Sequence, residues 1–542
     1  MNIDSYYPDI DKNNFYLGMI SQVYRSNVVL QVENLSLLNN RKIKKEILIP
    51  NTINFFVVVD SAYGIFLGEI YQSKVLGTDS LHRSKSDENK TTVFPEISID
   101  IIGILGSDQK FKLSGFKTVG ITDKVYLANR EFVKRYLSSI EINQYKYKDK
   151  NNEYKETEPL KKLAAIGAFD TEYLSLQANT LFDRHLMAIG TTNSGKSTSA
   201  LSILDKLITS SKKILLIDPT GEYRECFDEN CVEKLTLGED ATVSVGKVQI
   251  SQWERIFETN ENTQGATLSK AIQSLRYQTK AKQTGVLVKN NQLVTNIDSK
   301  LATVTRQDVD FDLALLPEQI QAEAVQLDKN GTKLTSNSFN ANTNNWLLEK
   351  VQHVLENTTL EKFFASNAAT DLLVKIDSFL SNENSLYIDA SKIATSDGIG
   401  SMLIDLICNH IINKDKEEIS RPFVMYIDEV HRYMKPNQEY QTGLTIVARE
   451  GRKKGIFLFL TTQNPKDVPA VLLGQVGSLI IHRLTHPEEL KVIQNLVKQN
   501  TLSQIQKLNQ GEAILSSINL IQDIHVRFIK SSRNHKNDTP IL

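Results

Sequence analysis

Hydrophobic and polar positions are arranged in two different ways along this chain, and the arrangement changes after about residue 140. In the first part, short runs rich in β-branched and aromatic residues are separated by turn-prone residues, which is typical of a small β-barrel or β-sandwich. The segment ANREFVKRYLSSI (128–140) has helical periodicity instead. The predicted strands are FYLGMISQVY (15–24), NVVLQVENL (27–35), INFFVVVD (53–60), YGIFLGEIYQ (63–72) and EISIDIIGIL (96–105).

Beyond residue 164 the predicted strands are continuous apolar runs rather than alternating ones. A run of this kind is buried on both faces, which indicates a mostly parallel sheet covered by helices and therefore an α/β fold. The helix predicted after the first run keeps one face apolar, so we expect it to pack on the sheet. The six runs are HLMAIG (185–190), KILLIDPT (213–220), SLYIDA (385–390), FVMYID (423–428), IFLFLTT (456–462) and SLIIHRL (478–484).

These changes of pattern divide the chain into five parts. Within the fourth of them, the polar stretch DKNGTKLTSNSFNANTNN (328–345) predicts a mobile loop between helices. The parts are a β-barrel-like domain with a terminal helix (1–142), a charged linker (143–164), an α/β core (165–249 and 384–530), a helical insertion (250–383) and a polar tail (531–542).

Composition changes this picture little. The 542 residues include 63 basic and 64 acidic ones, so any attraction to a polyanion must be local rather than a property of the whole molecule. The three cysteines form no CxxC pair, which favours free thiols over a disulfide framework or a zinc site. The chain shows neither a secretory signal nor an apolar stretch near 18 residues, so we expect a cytoplasmic protein without a membrane segment.

One glycine-rich segment follows the first apolar run and opens the helix after it. It completes the pattern G-x-x-x-x-G-K-[ST], in which backbone N–H groups surround phosphate and the helix N-terminus adds partial positive charge. Lys196 is predicted to reach the β and γ phosphates of ATP, and Ser197 to ligate Mg²⁺. The predicted nucleotide-binding residues of this loop are Gly190, Thr191, Thr192, Asn193, Ser194, Gly195, Lys196, Ser197 and Thr198.

A pair of acidic residues ends the fourth apolar run. Asp428 is predicted to hold Mg²⁺ through water, and Glu429 to act as general base for the attacking water. Such a pair indicates hydrolysis rather than transfer to an acceptor. The alternative is that both are solvated acids at a strand end.

The letters DEVH (428–431) also match helicases that carry two RecA-like cores in one chain. That interpretation is disfavoured, because the sequence contains one P-loop and one set of six core strands. With one core per chain, an arginine that completes catalysis must come from a neighbouring subunit. Arg449 and Arg452 are the candidates, and a solvated helix end is the alternative for them. Gln463, just after the fifth run, is placed to sense the γ phosphate.

Several of these segments together resemble the HerA ATPases of the HerA/FtsK superfamily. The resemblance covers about residues 165–530, and the N-terminal region resembles the small barrel that precedes the core in that family. The segments are the glycine loop with LFDRH before it, IDPTGEY, YIDEVHRY, REGRKKG, TTQNP and GEAILSSINLIQDIHVRF.

The resemblance implies a RecA-like P-loop core in a homo-hexamer, with ATP at the subunit interfaces and DNA in the central pore. The roles that it implies for Lys196, Ser197, Asp428, Glu429 and Gln463 are the same as those predicted from their motifs. It further implies that Arg449 or Arg452 acts in trans as the arginine finger. Arg184 matches a family arginine near the phosphates or the subunit interface, and Asp218 with Glu222 matches an interface or coupling element.

The chain departs from the family pattern at three positions. Asn193 replaces a glycine, which is tolerable because asparagine accepts a left-handed backbone, and Thr220 replaces a histidine. Asn464 replaces the usual arginine after Gln463, so the contact made by that arginine is in doubt here.

The resulting functional hypothesis is an ATP-driven DNA translocase or helicase. The family's motors work with a nuclease or a sirtuin-like effector, in DNA-end processing or in antiviral defence, and we expect such a partner to dock on the N-terminal barrel. A hexameric ATP-binding platform that activates an effector with little translocation is the alternative. A secretion or conjugation motor of the same superfamily is disfavoured by the lack of a membrane segment.

Overall fold

The computed structural model describes residues 3–7, 10–25, 27–43, 46–48, 50, 53–75, 94–148, 153–167, 169–260, 263–356, 358–364, 370–392, 398–434, 442–497 and 499–535. The chain divides into two compact units. Residues 1–210 and 477–531 form the first unit, and residues 211–476 and 532–542 form the second.

The N-terminal part of the first unit is a closed six-stranded antiparallel barrel. Five of its strands lie where the alternating runs predict them, because their inward positions are apolar. The sixth, Lys124–Leu127, pairs with both Tyr16–Val23 and Phe56–Ser61 and closes the barrel, but at four residues it is too short to stand out in the sequence. The strands follow one another around the barrel as Val28–Val32, Tyr16–Val23, Lys124–Leu127, Phe56–Ser61, Gly64–Lys74 and Glu96–Leu105, which returns to Val28–Val32.

The helix predicted after the barrel runs from Arg130 to Ser138. Its N-cap is Asn129, whose side chain accepts a hydrogen bond from the backbone N–H of Phe132. Phe132 and Tyr136 are fully buried against the barrel, and the ring of Tyr136 lies 5.3 Å from that of Phe56. The remaining short strands of this region are Arg41–Ile43, Glu46–Leu48, Phe111–Lys112, Lys146–Lys148 and Tyr154–Glu156.

The rest of the first unit contains a six-stranded arrangement in which only two strands are parallel. This arrangement corrects the linker prediction for residues 143–164, because Pro159–Ile166 is one of the strands. Its apolar residues Leu160 and Leu163 are buried, while Lys161 and Lys162 between them are exposed. These two charged residues made the strand resemble a linker in the sequence. The order is Phe169–Gln177, Pro159–Ile166, Ile524–Phe528, Glu512–Ser517, Ser478–Ile481 and Leu186–Ile189, the last two being parallel. The helices are Ala178–Phe182, Lys196–Thr209, Pro487–Ile493 and Gln499–Ile505.

The second unit contains five parallel strands, and the continuous apolar runs predict four of them. The fifth, Val232–Thr236, was missed because two of its five residues are polar and only half-buried. Every residue of the three central strands is buried, which explains why these runs do not alternate. The register aligns Asp218 with Asp389, so acidic residues gather where the strands end. The order is Ile456–Thr462, Phe423–Ile427, Lys213–Asp218, Ser385–Asp389 and Val232–Thr236.

Helices dominate the remainder of the second unit, including the predicted insertion. Part of the predicted mobile loop 328–345 is instead ordered, which corrects that prediction. Asp328 accepts hydrogen bonds from the backbone of Thr332 and Lys333 in a hairpin, and Asn337 caps the next helix. The helices are Ile250–Ile256, Gln264–Lys280, Val294–Ala302, Leu316–Ala322, Ser338–Leu355, Thr358–Phe364, Leu372–Ser381, Ile399–Ile412, Gly443–Lys454 and Ala470–Leu473. The hairpin is Val325–Leu327 with Leu334–Ser336, and Ala241–Thr242 pairs with Thr370–Asp371.

The predicted tail is partly packed on the second unit. The guanidinium of Arg533 lies 5.0 Å from the ring centre of Phe227, and the ring of His535 lies 5.0 Å from that of Tyr223. Residues 536–542 lie outside the described residues. Across the described ranges, no helix combines the length and the apolar character needed to cross a bilayer.

The fold class predicted from the sequence is confirmed. It is a RecA-like α/β core with a helical insertion, preceded by a small barrel. One refinement concerns the sheet, because antiparallel strands accompany the predicted parallel ones.

Candidate functional site

The glycine loop of the first unit joins strand Leu186–Ile189 to helix Lys196–Thr209. Gly195 is the helix N-cap in a left-handed conformation, with φ of 105°. Asn193 is also left-handed, with φ of 65°, which confirms that asparagine can stand where the family has glycine. The loop therefore has the strand, turn and helix context that its motif requires.

Hydrogen bonds join the loop to residues next to the C-terminal strands of the same unit. The N–H and the hydroxyl of Thr191 both donate to the carbonyl of Arg483, over 3.2 and 3.1 Å. The N–H of Gly511 donates to the carbonyl of Ser194 over 3.0 Å. A Cβ at Gly195 would lie only 2.7 Å from the nitrogen of Gly511, so the glycine is required by this close approach.

A buried histidine lies beneath the loop. His482 is fully buried, and its Nδ1 lies 2.9 Å from the carbonyl oxygen of Glu512 while its Nε2 lies 2.8 Å from the hydroxyl of Ser199. A carbonyl can only accept, so Nδ1 carries the proton. The Ser199 hydroxyl also lies 2.8 Å from the carbonyl oxygen of Lys196, so its single proton has two possible acceptors, that oxygen and Nε2. Burial lowers the pKa of His482 to about 4, against the raising effect of the bond to Glu512 and with a smaller lowering effect from the charge of Lys196, so the ring is neutral at pH 7.

The loop fits a phosphate group. The N–H groups of the first helical turn have no acceptor within the helix and point toward the loop, and no acidic residue stands in that turn. Lys196 is the first helical residue and is buried, while Ser197 and Thr198 are half-buried beside it. This geometry provides backbone donors and one ammonium group for an anion.

In the second unit, Asp428 follows the buried strand Phe423–Ile427 and is only 4% exposed. Its Oδ1 accepts two hydrogen bonds, from the hydroxyl of Tyr426 over 2.8 Å and from the hydroxyl of Thr461 over 2.5 Å. Burial, together with the charge of Asp428, raises the pKa of Tyr426 well above its usual value, so this hydroxyl is a proton donor. The alternative of two solvated acids is therefore wrong for Asp428.

Glu429 is also buried, at 5% exposure, and adopts a left-handed backbone with φ of 47°. The side-chain amide of Gln463 donates to its Oε1 over 2.7 Å, and Nδ1 of His431 lies 3.2 Å from its Oε2. Its backbone N–H donates to the hydroxyl of Thr461 over 2.8 Å. Strained backbone of this kind in a non-glycine residue is concentrated at functional sites. The structure thus brings together Asp428, Glu429 and Gln463, the three acidic-site residues predicted from sequence.

Asp218 shapes the turn that follows its own strand. The carboxylate is fully buried and accepts hydrogen bonds of 2.9 Å from the backbone N–H groups of Thr220, Gly221 and Tyr223. The hydroxyl of Tyr387 donates to it over 3.0 Å. Asp218 therefore orders the turn that carries Glu222, and an interface or coupling role for the two residues stays a prediction. Glu222 is half-buried, and its carboxylate lies 3.5 Å from Nε2 of His535.

Arg449 and Arg452 are exposed one turn apart near the end of helix Gly443–Lys454. Arg449 makes no ion pair with any residue that the structure describes. The neighbouring Lys454 differs, because its ammonium group donates to the carbonyls of Ile412 and Lys414, both over 2.6 Å. Asn464, where the family has arginine, donates instead to the carboxylate of Asp467.

Arg184 lies before strand Leu186–Ile189, whereas the glycine loop follows that strand. A four-residue strand is about 13 Å long, so Arg184 begins at the opposite end from the loop. A role for Arg184 near the phosphates stays a prediction, as its match to the family arginine gives it. A contact with a neighbouring subunit stays a prediction.

The structure adds residues that sequence analysis missed. Tyr426 and Thr461 support Asp428, and His482 and Gly511 support the glycine loop. Tyr426 carried a usable signal, because it lies two residues before Asp428 and side chains two apart on a strand share a face. The contact of His482 with Ser199 spans 283 residues, and no local pattern reveals it.

A glycine loop between a strand and a helix and a buried acidic pair at a strand end define the class of P-loop ATPases. The family model described as the central domain of helicase HerA matches residues 130–414, more than half of the chain. The model described as the HerA-like C-terminal region matches residues 413–521. The chain belongs to the HerA helicase family and is an ATPase of the helicase class.

Individual proteins resemble the chain more distantly. A probable helicase of Methanocaldococcus jannaschii is 22% identical over 495 residues, which cover 85% of this chain and 87% of that protein. The DNA double-strand break repair helicase HerA of Sulfurisphaera tokodaii is 24% identical over 61% of this chain and 62% of its own length. Among solved structures, VirB4 of Thermoanaerobacter pseudethanolicus has a TM-score of 0.48 at 14% identity, covering 68% of this chain and 96% of that one. Plasmid coupling protein TrwB with ADP and Mg²⁺ has a TM-score of 0.45 at 14% identity, covering 69% and 91%.

Proposed function

We propose that this chain hydrolyses ATP to move or unwind DNA as a ring of identical subunits, a homo-hexamer. The observation that carries the proposal is the buried pair Asp428 and Glu429, with Gln463 bonded to Glu429, in a chain that also holds a complete glycine loop. Burying an ionised carboxylate costs free energy unless partners compensate it, so two adjacent buried carboxylates point to a function, and a base held by a polar amide suits the activation of water.

The glycine loop would hold the triphosphate. Its backbone donors and Lys196 would neutralise the β and γ phosphates. Ser197 and Asp428 offer hydroxyl and carboxylate oxygens, the ligands that Mg²⁺ prefers. When bound, Mg²⁺ would supply charge neutralisation at the phosphates.

Glu429 would remove the proton from the attacking water, and Gln463 would orient that carboxylate through its amide. The exposure of Arg449 and Arg452 supports a role in trans, since an arginine finger must reach outside its own subunit. Arg184 would act near the phosphates or at the subunit interface, as its match to the family arginine implies.

DNA as the object of the motor is supported by the names of the relatives, which are DNA repair helicases. The near-neutral charge of the chain implies that phosphate contacts are confined to part of the surface, as in a central pore. The test is ATP turnover with and without duplex and single-stranded DNA, together with displacement of a labelled strand. DNA-stimulated turnover and displacement that both vanish in Lys196→Ala support the motor. Turnover that ignores DNA, without displacement, overturns it.

A second candidate function is an assembly platform that activates an effector protein, a nuclease or a sirtuin-like enzyme, in DNA-end processing or antiviral defence. The observation that favours a partner is the set of large apolar side chains on the barrel surface. Met19, Phe116 and Ile121 are 41%, 105% and 63% exposed. If the platform operates, effector activity requires the barrel and bound ATP but not DNA. Replacing Phe116 and Ile121 with serine should then abolish activation while ATP hydrolysis persists.

A further inference from the structure

A chain of buried hydroxyl groups leads away from Asp428 into the interior of the second unit. We propose that Tyr426 is a positioning residue that orients the Asp428 carboxylate for magnesium, and that Tyr223 holds Tyr426 in place. The inference rests on the proposed role of Asp428 as the magnesium-binding acid.

The first link lies within one strand end. Tyr426 and Asp428 are two residues apart, so their side chains share a face, and the hydroxyl of Tyr426 lies 2.8 Å from Oδ1 of Asp428. Thr461 approaches the same oxygen from the neighbouring strand Ile456–Thr462. Two donors from two strands leave the carboxylate little freedom to rotate.

The second link crosses to the turn that follows strand Lys213–Asp218. The hydroxyl of Tyr223 lies 2.8 Å from that of Tyr426, and their rings meet edge to face with centres 5.5 Å apart. Both tyrosines are fully buried. The backbone N–H of Tyr223 donates to Asp218, so the turn after strand Lys213–Asp218 fixes the position of Tyr223.

The direction of these bonds follows from the acceptor at the end. An ionised carboxylate can only accept, so Tyr426 donates to Asp428, and its oxygen must accept from Tyr223. Removing the hydroxyl of Tyr426 takes a donor from Asp428 and also leaves the buried hydroxyl of Tyr223 without its acceptor. Removing the hydroxyl of Tyr223 leaves the bond to Asp428 intact.

This order of donation makes a distinctive prediction for three variants. Tyr426→Phe should weaken magnesium binding about 10-fold, the lower end of the range for partners of metal ligands. Tyr223→Phe should weaken it less, by about 2- to 3-fold. The double variant should resemble Tyr426→Phe rather than show the product of the two effects. The Tyr223 hydroxyl acts on Asp428 only through the Tyr426 hydroxyl, so its loss adds nothing once the Tyr426 hydroxyl is gone.

Tyr387→Phe is the matched control. Tyr387 is equally buried and its hydroxyl also bonds to a strand-end aspartate, but to Asp218 rather than to Asp428. Its loss should lower the melting temperature without changing the dependence on magnesium.

The experiment uses the full chain in a Glu429→Gln background, so that nucleotide stays uncleaved. Mn²⁺ binding in the presence of ATP is measured by electron paramagnetic resonance, and affinity for a fluorescent ATP analogue is measured with and without Mg²⁺. The proposal expects Tyr426→Phe to weaken Mn²⁺ binding and the Mg²⁺-dependent affinity, while the Mg²⁺-free affinity stays unchanged. An equal loss in Tyr387→Phe, or no loss in Tyr426→Phe, overturns it.

Asp428→Asn separates this inference from the function on which it rests. If Asp428→Asn retains wild-type Mn²⁺ binding, the assignment of Asp428 is wrong and the inference fails with it. If Asp428→Asn loses the metal while Tyr426→Phe keeps it, the assignment stands and only the positioning role fails.

Discussion

The Nε2 atom of His482 lies 2.8 Å from the hydroxyl of Ser199, in the first turn of the helix that begins at Lys196. His482 follows strand Ser478–Ile481, so this bond ties the C-terminal strands of the first unit to the glycine loop. The ring is neutral at pH 7, because its burial lowers the pKa of His482 to about 4.

The first prediction concerns the pH dependence of stability. The pKa of His482 falls from an ordinary 6.5 to about 4 on folding, so the unfolded chain binds the proton more readily between these values. The contribution of the neutral ring is fully present above pH 6.5 and is lost as pH falls toward 4, by about 3 kcal/mol in all. His482→Gln should flatten this part of a plot of melting temperature against pH.

Other groups also titrate in this window, so the comparison between variants carries the test. His353 is exposed on helix Ser338–Leu355, and His353→Gln should leave the wild-type slope in place. Equal slopes in the wild type and in His482→Gln would show that the ring is not held neutral by folding.

The second prediction concerns the close approach of Gly195 to Gly511. In Gly195→Ala, the new Cβ meets backbone atoms at 2.7 and 2.8 Å, and the residue must also keep φ at 105°. We expect a loss of about 2 to 4 kcal/mol of unfolding free energy, from the left-handed backbone and the overpacking together. Nucleotide affinity should fall at least 10-fold, because the loop must move.

Gly285→Ala is the control, since Gly285 has φ of 80° but no atom within 4 Å of the added Cβ. It isolates the backbone strain, about 1 to 2 kcal/mol, from the steric clash. Chemical denaturation and binding of a fluorescent nucleotide would check both variants. Similar losses of stability and affinity in the two would rule out the contact with Gly511 as the cause.

Sequence alone predicts the core strands well, because strands such as Phe423–Ile427 are buried on both faces and leave a continuous apolar run. It fails for Pro159–Ile166, where Lys161 and Lys162 face solvent and imitate a linker. The glycine loop and the Asp428–Glu429 pair are local patterns, so their spacing reveals them. The contacts that hold them, through His482 and Tyr223, join distant parts of the chain and become visible only in the folded structure.

The third prediction separates nucleotide binding from cleavage. Lys196→Ala removes the ammonium group of the glycine loop and should abolish binding of a fluorescent ATP analogue. Glu429→Gln should bind the analogue normally yet release phosphate at least 100-fold more slowly, because an amide cannot accept the proton of water. Its amide oxygen can still accept from Gln463, so the local geometry is kept. Unchanged phosphate release in Glu429→Gln would remove Glu429 from the role of base.

The last prediction tests whether a second subunit completes the catalytic pocket. Arg449 is exposed on its helix and has no ion-pair partner in the described part of the chain, as expected for a side chain that acts on a neighbour. Phosphate release should be measured for Arg449→Ala and for Arg452→Ala. The arginine finger is the residue whose replacement lowers turnover by about 10³-fold or more.

Mixing that variant with inactive Glu429→Gln should restore part of the activity, because some interfaces then combine an intact arginine with an intact Glu429. The matched mixture of Lys196→Ala with Glu429→Gln should stay inactive if Lys196 and Glu429 serve the same bound nucleotide from one subunit. Full activity in both arginine variants, or a mixture in which no activity returns despite subunit exchange, would rule out Arg449 and Arg452 as residues that act on a neighbouring subunit.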